Sequence, residues 1–150
     1  MKKFSLGRLL LLIGTAAVLF VLGTVVFLLY SSRVTGHYQV HLRLAFDAAE
    51  LSDTGVCLKS GDDWRLVDRE AAEKFYYYMS RRTTVTLRHG QTDDPRCLTL
   101  RLGDDVATIA PLSESDGNSA VVSVTLMGKS YRIKITADGL WARLTQLSAP

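Results

Sequence analysis

Few side chains in this chain have the type and spacing to do chemistry. Foremost are two cysteines, Cys57 and Cys97. Cys57 sits between Val56 and Leu58, and Cys97 precedes the alternating Leu98, Leu100 and Leu102. In extended strands, successive side chains point to opposite faces, so both thiols are expected on the less apolar side of a sheet. If their strands were neighbours in an oxidising compartment, a Cys57–Cys97 disulfide could form. It would close a loop of roughly 40 residues and stabilise the fold by about 3–4 kcal/mol through chain entropy. Two separate reduced thiols are the alternative. Neither cysteine has a motif partner that would make it a nucleophile.

The histidines are His37, His41 and His89. Read as a strand, the stretch holding His37 and His41 separates them by about 13 Å, too far to share a metal. There is no HExxH, CxxC, phosphate-binding glycine loop, GxSxG or SxxK pattern. The paired aspartates, Asp62-Asp63, Asp93-Asp94 and Asp104-Asp105, fall in turns, where Asp bonds the local backbone. No catalytic residue, metal site or cofactor is therefore expected. One further constellation stands out. Tyr77 lies on the polar arc of an amphipathic helix with Arg69 and Arg81, and Tyr with Arg is a composition favoured at protein interfaces.

The element that places all of these is Leu9 to Tyr30, an uncharged stretch in which 15 of 22 residues are Leu, Ile, Val or Phe. As a helix it spans roughly 33 Å against a hydrocarbon core of about 30 Å. It is longer than a signal-peptide apolar region and lacks a well-placed small-x-small cleavage site, so an uncleaved transmembrane anchor is expected. Lys2, Lys3 and Arg8 precede it, and Arg33 and Arg43 follow. The bias points to a cytoplasmic N-terminus and an outward C-terminal domain. Residues 1–8 then form a basic tag, 9–30 the transmembrane helix, 31–36 a linker, and 37–150 one extracytoplasmic domain.

The chain has 18 Lys and Arg and 15 Asp and Glu, and three of the basic residues precede the span. The remainder is formally neutral, so the high pI belongs to the tag and gives no support for nucleic-acid binding.

Beyond the linker, residues 37–46 (HYQVHLRLAF) alternate with period two and predict a half-buried strand. Short strands are expected at 56–59 and 64–67. Asp68 is expected to cap a helix over 69–82 whose apolar arc holds Ala71, Ala72, Phe75, Tyr76 and Met79. Strands follow at 83–88, 96–102, 106–111, 120–127 and 130–136, with a hairpin loop at 113–119. Asp138 is expected to cap a last helix carrying Leu140, Leu144 and Leu147, with Trp141 covering a sheet edge. Short connections favour antiparallel pairing. The fold class is α+β: a mainly antiparallel sheet of five to seven strands with two helices on one face.

In outline the chain resembles small membrane-anchored proteins of Gram-positive bacteria, an architectural likeness that no motif extends. Pilin-like proteins share the apolar start but need an early Glu that residues 3–8 lack. The functional expectation is a noncatalytic, membrane-tethered binding or accessory module that contacts the bilayer through 9–30 and another envelope protein through its domain. The alternatives are an envelope enzyme with a site no motif marks, or a folded spacer or assembly element.

Overall fold

The computed structural model describes residues 6–112 and 117–149; Lys2 and Lys3 of the tag and residues 113–116 of the expected hairpin loop lie outside them. Helix α1 runs Leu6–Leu51, 46 residues without a break. The chain divides into two compact units, Met1–Val34 and Thr35–Pro150.

The first unit is the apolar half of α1, with its large side chains from Leu9 to Tyr30 exposed. It is long and apolar enough to cross a membrane, and is compatible with a transmembrane or signal-anchor helix. The hydroxyls of Thr15 and Thr24 donate back to the carbonyls of Leu11 and Phe20 at 2.9 and 2.8 Å. Such local bonds satisfy a hydroxyl where no water is at hand.

The second unit corrects one expectation. The expected linker over residues 31–36 is part of α1, and residues 37–46 are helix, not strand. Tyr38, Leu42, Ala45, Phe46 and Ala49 are buried, whereas Val40 and Leu44 are exposed. That is a helical stripe. Tyr38 anchors it: fully buried, its hydroxyl donates to the Met79 carbonyl at 3.0 Å. Burial holds its ionisation far above the ordinary tyrosine value.

Seven strands form one antiparallel sheet: β1 Val56–Ser60, β2 Asp63–Leu66, β3 Thr83–Val85, β4 Leu98–Leu102, β5 Asp105–Pro111, β6 Ser119–Leu126 and β7 Lys129–Thr136. Their order is β2-β1-β4-β5-β6-β7-β3. Consecutive strands pair from β4 to β7, while β3 crosses over to pair with β7 at the far edge. Two further helices are α2 Arg69–Ser80 and α3 Leu140–Ser148.

The expected cap of α2 is present, with the Ala71 N–H donating to Asp68 Oδ1 at 2.7 Å. That of α3 is not. Gly139, at φ 63°, occupies the cap position, and its N–H donates to Asn118 Oδ1 instead. A left-handed φ at this position suits glycine and would strain an Asp.

One face of the sheet carries the core. Leu58, Leu100, Ala107, Val124 and Tyr131 lie across it in register, all buried. Helices close over this side. Tyr131 of β7 stacks near Tyr38 and bonds His41 of α1 at 2.8 Å. Arg65 of β2 reaches the last carbonyls of α3, Ser148 and Ala149. These orphan C-terminal acceptors are where a cation is most favourable.

On the other face, the loop over residues 86–97 lies against β5. The Gln91 N–H donates to the Pro111 carbonyl at 2.8 Å, and Gly90 sits on Ala110 with no room for a side chain.

Candidate functional site

The two cysteines are not brought together. Both are free. Cys57 stands opposite Arg101, so Cys97 lies four residues farther along the neighbouring strand. That offset is about 13 Å, beyond the roughly 7 Å between Cα atoms that a disulfide can bridge. The two strands are neighbours, but their register keeps the thiols apart. Cys57 is buried, donates to the Thr54 carbonyl at 3.2 Å, and receives a guanidinium N–H of Arg101 at 3.6 Å. The Cys97 thiol is pushed up first by burial and then by the nearby Asp94 carboxylate, which lowers its reactivity as a nucleophile.

His37 and His41 are one helical turn apart, not on a strand. Their ring centroids stand 6.1 Å apart, and His41 is engaged with Tyr131. Among the described residues, no group of three or more His, Cys, Asp or Glu converges as a metal site.

The helix-side surface holds two of the three residues named from sequence. Arg81 donates to the Tyr77 hydroxyl at 3.0 Å and lies over its ring at 4.4 Å from the centroid. Tyr77 in turn meets Tyr78 edge to face, and Tyr78 accepts from Arg143 of α3 at 3.3 Å. The result is an exposed aromatic and arginine cluster bridging α2 and α3. Arg69 does not join it. It begins α2 and pairs with Glu73 at 3.4 Å. A groove of about 570 Å³ runs beside the cluster, lined by Asp68, Lys74, Tyr78, Arg143 and Gln146 among others. Its ionisable groups are engaged as an i,i+4 pair (Glu70–Lys74), a cap (Asp68) and a tyrosine contact (Arg143). None is set up as an acid or base beside a nucleophile. Trp141 is buried at the start of α3, its indole N–H donating to the Ser119 carbonyl at 3.1 Å, as expected for a residue that covers the sheet.

The sheet face opposite the helices carries a second constellation, which the sequence reading did not assemble. One row runs across six strands: Trp64, Lys59, Thr99, Thr108, Ser123 and Arg132. The Lys59–Thr99 step follows by extending the β1–β4 register by one position. Arg101 and Lys134 stand in the flanking rows on the same face. Arg101 lies 4.8 Å from the Trp64 ring centroid. Its Nε is buried and, among the described residues, without a hydrogen-bond partner. Strand alternation alone predicted a polar face here. Pairing register, which is not readable from one sequence, shows that its cations share it.

No family model, no curated protein and no solved structure matches this chain.

Proposed function

We propose that this protein is a single-pass, membrane-anchored, noncatalytic binding module, with residues 9–30 in the bilayer, the N-terminus cytoplasmic and the Thr35–Pro150 unit outside. In this reading its helix side contacts another envelope protein. The observation that carries it is the exposed Tyr77–Arg81 pair, joined through Tyr78 to Arg143. The Arg81 guanidinium is already placed by a ring and a hydroxyl, so little side-chain entropy remains to be lost on binding. Tyr and Arg so arranged are typical anchors of protein interfaces. The absence of an acid, base and nucleophile set among the described residues of the adjoining groove supports a binding role over a catalytic one.

The test has two arms. A C-terminal alkaline phosphatase fusion, active only outside the cytoplasm, reports the orientation; a stable but inactive fusion refutes the outward domain. A photo-crosslinking amino acid at position 77 in intact cells should give a discrete product that Arg81→Ala weakens. The same label at Thr125, on the opposite face of the sheet, should not. Equal products from both positions, or none, would sink the helix-side contact.

A further inference from the structure

The domain is formally neutral, but its charge is not evenly spread. The acidic residues Asp47, Asp68, Glu70 and Glu73 lie on α1, at the α2 cap and on α2, where all four meet a basic partner or a backbone N–H. The strand positions of the opposite sheet face hold Lys59, Arg101, Arg132 and Lys134 and no Asp or Glu; the 86–97 loop that lies against this face at β5 carries Asp93 and Asp94, the latter paired with Arg96. Between the cations stand hydroxyls: Thr99, Thr108 and Ser123 continue the row from Lys59 to Arg132. Among the described residues, no carboxylate pairs with Lys59, Arg101, Arg132 or Lys134. Arg132 has only His89 at 3.2 Å. Four like charges on one face of a sheet repel each other. A protein that needs only solubility intersperses both signs.

We propose that this face binds an acidic polysaccharide, laid across the strands. The cations meet its carboxylates, and the Thr and Ser hydroxyls exchange hydrogen bonds with its sugar hydroxyls. The Trp64 ring at the β2 edge offers an apolar platform for a sugar face. It already holds the Arg101 guanidinium in place. From β2 to β7 the row crosses six strands, about 24 Å at 4.8 Å per strand, so a chain of several sugars fits and a single one does not fill it. Single-stranded nucleic acid fits less well. It asks for several stacking aromatics, and the strand positions of this face hold one. The surface is distinct from the Tyr77 cluster, so the proposal stands or falls independently of it.

The full-length protein in an uncharged polyoxyethylene detergent is titrated by calorimetry with an oligogalacturonate long enough to cross the sheet. Its fully methyl-esterified counterpart and a single-stranded DNA oligomer are titrated alongside. Binding of the acidic oligomer is expected to weaken steadily with salt, because the cations of the face displace counterions held by the polyanion. The methyl ester is expected to bind at least tenfold more weakly. Lys59→Gln/Lys134→Gln should weaken binding about tenfold or more. Lys74→Gln/Arg43→Gln, which removes the same charge from the helix side, should leave it within about twofold. The proposal is overturned by no binding at low salt, by equal losses from both double variants, by a methyl ester that binds as well, or by DNA binding tighter than the glycan.

Discussion

Gly90→Ala is the substitution that best tests the packing of the second sheet face. A Cβ on residue 90 would stand 2.5 Å from the Ala110 Cβ, 3.1 Å from its carbonyl oxygen and 3.2 Å from its carbonyl carbon. Ordinary carbon contacts lie near 3.5–4.0 Å, so one side must move by about 1 Å. Neither can yield cheaply. Ala110 is fixed in register opposite Val121 in the middle of the sheet, and the loop is tied to β5 by Gln91 N–H to the Pro111 carbonyl. Overpacking of this kind costs about 1–3 kcal/mol. For a domain of this size it would lower Tm by roughly 4–12 °C. The assay is thermal unfolding of the full chain in micelles, followed by tryptophan fluorescence. Ala110→Gly alone should cost about 1 kcal/mol, from one lost buried methyl and a weakened strand. The double variant should then be more stable than the sum of the two losses by about 0.5–1 kcal/mol. It would not reach wild type, because the Ala110 carbonyl remains close. A Gly90→Ala protein that melts with wild type, or a strictly additive cycle, would refute the placement of this loop.

Other outcomes follow from the same structure. Tyr38→Phe should cost about 1–2 kcal/mol in urea unfolding by leaving the buried Met79 carbonyl unbonded; a neutral result would contradict the helical packing of residues 37–46. Met127→Asn should stabilise by about 0.5–1 kcal/mol. Met127 and Gly128 form the two-residue β6–β7 turn with φ 50° and 73°, a conformation Asn adopts more readily than Met; a lower Tm would argue against that turn.

Asp94 is held at about 2, chiefly by its hydrogen bonds to the Arg96 side chain and backbone N–H. Its folded value lies below the unfolded one, so its contribution is present above about pH 4 and disappears as pH falls toward 2. The stability difference between wild type and Asp94→Asn should therefore shrink over that window; a difference independent of pH would exclude the pairing. Thiol titration of protein denatured without reductant should find both cysteines free, and a missing pair would overturn the β1–β4 register.

Much of this fold was legible because local chemistry and global packing agree. Helix α2 announces itself through Asp68 and the spacing of Ala72, Phe75 and Met79. Strands β4 to β7 announce themselves through alternation broken by Gly-containing turns. Residues 37–46 misled for a definable reason. Tyr38, Leu42 and Phe46 recur every four positions, a spacing close to one helical turn and equal to two strand repeats. The discriminating residues are the small ones. Ala45 and Ala49 extend the buried stripe with helical period, but a window that stops at Phe46 misses Ala49. The Tyr77–Arg81 pairing followed from spacing along one helix. The cationic sheet face did not, since it depends on which strands pair and in what register. The β3 crossover to β7 is likewise set by tertiary packing, and nothing in Thr83–Val85 marks its partner.

The two strands that end the sheet are its shortest, β2 with four residues and β3 with three. The long strands β6 and β7, eight residues each, are both flanked on either side. In the membrane-anchored state proposed above, the protein would meet its own copies at high local density, where a long unpaired strand would recruit a neighbour into a growing ribbon. Here such a ribbon would have only three or four residues on which to start, and crowding in two dimensions gains little purchase.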